Sequence, residues 1–182
     1  MISKGDAEFL RKKFQEELKE KVRIIVFIQD ENCRYCNETA QIAREVATLD
    51  SRISAEVYEK NGSEQLASQF GVELIPATII MGDKDYRIRD YGIPSGHEFA
   101  TYIEDLISVS KRRPNLSEKT LASLNLVDKD LHIKVFVTPT CPYCPRMVLV
   151  AHQFAMANDK IRSDMIEAVE FPQLVTKYNV MG

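Results

Sequence analysis

Apolar residues Ala7, Leu10, Phe14 and Leu18 recur at helical spacing, and with Ser3 and Asp6 as candidate caps they predict a helix over 3–20. The next stretch, VRIIVFIQ, is an almost unbroken β-branched run, the composition of a strand buried on both faces. NETAQIAREVATL follows DENCRYC and carries Ala40, Ala43, Val46 and Ala47 on one helical face. A cysteine pair therefore falls at a strand-to-helix turn. SAEVYEK reads as a second strand and NGSEQLASQFG as a short helix that Ser63 could cap and Gly71 could end. ELIPATIIMGDKDYRIRDYG predicts a proline-initiated strand, a turn at Gly82 and Asp83, and a further strand. PSGHEFATYIEDLISVS opens with the pattern Ser95-x-x-Glu98, which predicts a capping box ahead of an amphipathic helix.

After the polar linker KRRPN the pattern restarts. LSEKTLASLNL predicts a helix, LHIKVFVT a strand, CPYCPRMVLVAHQFAMA a helix, DMIEAVEF a strand and PQLVTKYNV a helix. The chain thus carries an internal repeat at an offset of 108: Cys33 maps onto Cys141, Cys36 onto Cys144, Phe70 onto Tyr178 and Val72 onto Val180. Pro76 would map onto position 184, two residues beyond the 182 of the sequence. The expectation is an α/β protein of two similar units, 1–113 and 114–182, the second incomplete. Its missing strand would leave an apolar sheet edge that must lean on the first unit or pair with another chain, so self-association is an expected possibility.

Composition narrows the function classes. A formal net charge of −3 with 28% charged residues offers no basic footprint for nucleic acid or an anionic membrane. No apolar run approaches the roughly 20 residues that span a bilayer, and the charged amino-terminal segment is unlike a signal peptide. A cytoplasmic location follows as the default expectation. Cysteines there stay reduced unless they are redox-active or bind metal.

Two units, each with a strand and a Cys-x-x-Cys at a helix start, and in the first a later Ile-Pro before a strand, resemble tandem thioredoxin folds. VFVTPTCPYCP, YGIPSGHEF and VSKRRPNLSEKT resemble more narrowly the glutaredoxin-like protein disulfide oxidoreductases of thermophilic archaea and bacteria, along essentially the whole chain. The resemblance implies a three-layer α/β/α fold, thiol-disulfide exchange on protein disulfides, no cofactor, and a thioredoxin reductase as electron donor. It also implies a cis peptide at Pro76, with the Ile75 backbone beside the cysteines as a substrate contact. A buried aspartate that thioredoxins proper carry in the first strand has no counterpart in either repeat.

The spacing itself suits the chemistry. A disulfide needs Cα atoms about 4.4 to 6.8 Å apart, a distance residues three apart in a first helical turn can meet. The first cysteine, at the positive end of the helix dipole, is favoured as thiolate. Cys33 and Cys141 are the expected attacking thiols, and Cys36 and Cys144 the inward-facing partners that resolve the mixed disulfide. Pro142 suits a first helical position, with Pro145 tolerable if the helix starts late. Arg34 stands where the second pair has Pro142, so the two sites should differ in potential. Tyr35 and Tyr143 flank the cysteines, either on the substrate surface or as plain exposed turn residues.

Other readings are weaker. One zinc shared by both pairs is disfavoured, because ribbon sites separate their pairs by about 15 to 20 residues and here more than a hundred intervene. His97, His132 and His152 lack a second ligand at metal spacing and read as surface or structural. The runs RKKFQEELKEK and GDKDYRIRD read as solvated faces. Against the enzyme stands an alternative in which the chain is a redox relay or binding module of a larger peroxide-reducing system, with one pair idle.

Overall fold

The computed structural model describes residues 1–181. Strand β1 (Val22–Ile28) lies inside a sheet because its two faces are both apolar. Val22, Ile24, Val26 and Ile28 enter one core cluster with Leu10 and Phe14, and Ile25 and Phe27 enter another with Ala67. Helices α1 (Lys4–Glu17), α2 (Cys36–Ala47), α4 (Glu98–Lys111), α5 (Glu118–Leu124) and α6 (Cys144–Ala157) contribute to the first cluster or pack beside it. The short α3 (Glu64–Gln69) and α7 (Pro172–Lys177) cover the other face through Ala67 and Leu174. The result is the expected three-layer α/β/α arrangement.

The remaining strands are β2 (Ile53–Glu59), β3 (Ala77–Met81), β4 (Ile88–Tyr91), β5 (Leu131–Val137) and β6 (Ile161–Glu167), in the order β2-β1-β3-β4-β6-β5. One six-stranded sheet runs through both repeats. β1 pairs parallel with β2 and antiparallel with β3, and β3 antiparallel with β4. At the seam β4 pairs parallel with β6, from Ile88 opposite Ser163 to Tyr91 opposite Ile166, and β6 pairs parallel with β5. The second repeat therefore leans on the first through β4 and β6, with α4 against α6 behind them. β5 is the last strand of the sheet, and Leu131 at its start is 45% exposed.

The repeat offset holds in three dimensions. β6 begins and ends 108 residues after β2, and α7 108 residues after α3. Ser3 caps α1, accepting from the Asp6 N–H at 3.1 Å, and Gly71 ends α3 at φ 60°. Ser63 makes no side-chain cap.

Four expectations are corrected. β6 spans 161–167, not DMIEAVEF at 164–171, because the polar Arg162, Ser163 and Asp164 are in the strand: Arg162 Nε donates to Asp164 Oδ1 at 2.9 Å and His132 pairs with Asp164 at 2.6 Å. The capping box does not form. His97 precedes α4 without a side-chain cap, while Glu98 is buried, 2% exposed. The run GDKDYRIRD is not a solvated face, since Tyr86, Ile88, Arg89 and Asp90 are all buried. Arg89 is satisfied there by the Asp85 carboxylate at 2.6 Å and the Phe70 carbonyl at 2.7 Å. Finally, α6 starts at Cys144, so Pro142 lies in the turn before it and Pro145 occupies the first-turn position.

Candidate active site

Both cysteine pairs sit where a parallel strand hands over to a helix. After β1 the loop turns through Asn32 at φ 56° and enters α2 at Cys36. Cys36 is buried among the apolar residues of the larger cluster, and its sulfur accepts the Gln29 N–H at 3.3 Å. Cys33 is half-buried and bonded to Cys36, with Cα atoms 5.6 Å apart. Beside it the Ile75–Pro76 peptide is cis, as the resemblance implies, and Ile75 lines one groove with Cys33 and Arg34. The Pro76 carbonyl is held by the Gly92 N–H at 3.0 Å. Tyr35 packs against the core with the Arg34 guanidinium 5.0 Å above its ring centre, so it is not a plain exposed turn residue.

The second pair repeats the geometry on different supports. Cys141 and Cys144 are bonded, with Cα atoms 5.5 Å apart, and Cys144 packs against Val137, Val148 and Met165. Here the outer sulfur is the one that receives a backbone donor: the Cys144 N–H points at Cys141 Sγ at 3.2 Å. Residues of the first repeat support this turn. The His97 N–H donates to the Pro139 carbonyl at 3.1 Å and the Thr101 hydroxyl to the Pro145 carbonyl at 3.4 Å. A Cβ on Gly96, which has φ 60°, would collide with the Pro139 backbone. Tyr143 is 82% exposed at the rim.

The fold also assembles a group that no sequence spacing announces. Asp90 on β4, Asp105 on α4 and His152 on α6 bring one metal-competent atom each within 4.8 Å of one another, all buried. His152 Nδ1 lies 2.6 Å from Asp105 Oδ2, and Nε2 lies 3.9 Å from Asp90 Oδ1. Because Asp105 already engages Nδ1, the group reads as an ion-pair cluster stitching α6 to α4 and β4. Burial pushes the Asp90 carboxyl up to about 7 against the pull of His152. Burial alone would lower His152, but Asp105 and Asp90 outweigh it and raise the imidazole to about 9. Burial likewise raises Glu98, near the same cluster, to about 6. His152 was readable only as surface or structural, and the structure makes it structural. His132 pairs with Asp164, whose carboxyl stays below its ordinary range because His132 and Arg162 offset its burial. No described helix is long and apolar enough to cross a membrane.

The known proteins that this chain resembles fit the geometry. The thioredoxin-domain family model matches residues 21–102 and 131–182, the two repeats in turn. Among solved structures, a protein disulfide oxidoreductase from Aeropyrum pernix k1 superposes with a TM-score of 0.91 at 28% identity, over 100% of this chain and 82% of that one. The NTD_N/C domain of alkylhydroperoxide reductase AhpF from Enterococcus faecalis gives 0.89 at 24% identity, over 100% and 87%. Among curated relatives, an NADH dehydrogenase of Bacillus subtilis is 27% identical over 138 residues, 76% of this chain and 25% of the relative. The F component of an alkyl hydroperoxide reductase of Staphylococcus aureus is 29% identical over 80 residues, 44% of this chain and 16% of the relative. The chain thus spans about a quarter or less of the length of those curated relatives. With a family match over most of its length and two disulfide-bonded Cys-x-x-Cys pairs at strand-to-helix turns, the chain belongs to the thioredoxin-domain family.

Proposed function

We propose that the chain, as two units over 1–113 and 114–182, exchanges dithiols and disulfides on protein substrates. Cys33 and Cys141 are the attacking thiols, Cys36 and Cys144 the resolving ones. The observation that carries this reading is the Cys33 site, where a half-buried Cys33, bonded to a buried Cys36, lines one groove with Ile75 of the cis Ile75–Pro76 peptide. In the reductive direction the Cys33 thiolate attacks one sulfur of a substrate disulfide. The substrate S–S bond breaks, its other sulfur leaves as a thiolate that takes up a proton, and a mixed disulfide remains. The Cys36 thiolate then attacks Cys33 Sγ, closing the Cys33–Cys36 disulfide and releasing the second substrate thiol. The substrate is reduced by two electrons and the pair is oxidised by two. Ile75, Pro76 and Tyr143 are the proposed substrate contacts, with Tyr35 buttressing the turn. A thioredoxin reductase is the proposed donor of the returning electrons, and the cytoplasm the proposed location.

Insulin reduction driven by dithiothreitol tests the proposal: the chain turns over, and Cys33→Ser with Cys141→Ser abolishes it. A double variant as fast as the parent would sink the enzyme reading. A second reading, a relay module of a peroxide-reducing flavoprotein system, is favoured by the relatives named as the F component of alkyl hydroperoxide reductase, of which this chain matches only a small part. In that case the oxidised chain would accept electrons from a flavoprotein reductase domain faster than it reduces insulin.

A further inference from the structure

The groove at Cys33 is not built by the first repeat alone. Its volume is about 440 Å³, within the range of small-ligand pockets. Its lining joins Cys33, Arg34 and Ile75 of the first repeat to a wall made by Val169 to Gln173 of the second. That wall is fastened to the first repeat by two contacts and a close approach. Phe171 is buried in the cluster of Ile25, Phe27, Ala77 and Tyr91. Glu170 Oε1 accepts the Ile93 N–H at 2.7 Å. Gly92, at φ 98°, lets the segment close in: a Cβ there would lie 2.5 Å from the Glu167 Cβ and 2.7 Å from Glu170 Oε1. Val169 stands at the rim, 57% exposed. The lining balances one cation, Arg34, with one carboxylate, Glu170, and adds the side-chain amides of Gln29, Asn32 and Gln173. Amides offer both donors and acceptors, the complement of a peptide backbone.

We propose that Val169–Gln173 is the specificity-determining wall for exchange at Cys33, so that this site takes its disulfide within an extended peptide lying between Ile75 and Val169. The second repeat thereby takes part in substrate choice at the first repeat's cysteines whether or not its own pair turns over. This deepens the reading of Cys33 as an attacking thiol and rests on it.

The test uses the full chain with Cys36→Ser, Cys141→Ser and Cys144→Ser, leaving Cys33 as the single thiol. A peptide carrying an activated cysteine disulfide and a benzophenone side chain two residues away is joined to Cys33, irradiated and mapped by mass spectrometry. Cross-links on 169–173 support the wall; cross-links confined to the first repeat overturn it. This outcome is independent of turnover, so a chain that fails to reduce insulin would refute the enzyme reading and leave the wall still decided. Turnover adds a second measure in the Cys141→Ser, Cys144→Ser background. Val169→Trp, on an exposed side chain, is expected to raise KM for insulin about tenfold with kcat retained. A KM within about twofold of the parent, or a loss confined to kcat, would overturn the assignment.

Discussion

The two Cys-x-x-Cys turns share strand, spacing and helix, yet their sulfurs are held in opposite ways. In the first, the inner sulfur of Cys36 takes a backbone donor from Gln29. In the second, the outer sulfur of Cys141 takes one from Cys144. A hydrogen bond to the charged form stabilises it, so the second turn is the better arranged to hold an attacking thiolate. The first has a cis-proline loop beside a groove that can receive a chain, and among the described residues the second repeat has no cis peptide bond. The difference teaches that a shared motif need not mean shared work. Under the proposed function, the second pair is the better placed for reactivity at sulfur and the first for holding a substrate.

That contrast can be broken most forcefully at Gly92. Gly92→Ala forces a side chain into a left-handed backbone and against Glu167 and Glu170, a cost of about 2 to 4 kcal/mol. Urea unfolding should show the loss, and any folded remainder should lose activity at Cys33 before Cys141. Next in size is the split between the nucleophiles. If the groove governs protein substrates, Cys33→Ser lowers initial insulin turnover about tenfold and Cys141→Ser less than about threefold; the reverse order would make the second pair dominant.

A third test concerns the cluster that joins the repeats. His152, raised to about 9, stabilises the fold fully below its ordinary 6.5, and that contribution is lost as pH rises through 9. Asp90, raised to about 7, acts with the same sign from 3.8 upward, and Glu98 from 4.5 through about 6. For the oxidised chain, whose cysteines do not titrate, the urea midpoint should therefore fall between pH 6.5 and 9. The His152 share is at most about 1.4 kcal/mol per pH unit, one proton's worth. His152→Gln should flatten this limb, and a midpoint that rises over the same range would contradict the assignment. Smallest is the difference between the thiols themselves. Alkylation by iodoacetamide at neutral pH, in Cys36→Ser, Cys141→Ser, Cys144→Ser and in the mirror variant that leaves Cys141, should be faster at Cys141, whose sulfur has the backbone donor; a faster Cys33 would contradict it.

The repeat, the order of elements and both cysteine turns were legible in the sequence because each rests on local pattern. What escaped depended on partners far along the chain. Arg89 and Asp90 look like residues of a solvated edge until β6, more than seventy positions later, pairs with β4 and buries them. The polar start of β6 falls outside the strand drawn from the apolar pattern, because Arg162, Ser163 and Asp164 are buried or half-buried only where Arg162 and His132 satisfy the Asp164 carboxylate. Glu98 occupies a capping position by spacing, but α4 packs that position against the second repeat's turn, and the carboxylate goes inside. The composite groove had one faint signal, the glycine at 92, whose need for an unusual backbone appears only beside Glu170.

The seam between β4 and β6 also sets an order in time. Domains assemble from the amino terminus as the chain is made, at about 5 to 20 residues per second. β4 ends at Tyr91 and its partner β6 is complete only at Glu167, so an interior strand of the finished sheet waits as a bare edge for roughly 4 to 15 s. During that interval Arg89 and Asp90, buried in the finished sheet, put charge on the waiting strand, a feature that disfavours pairing with a neighbouring chain.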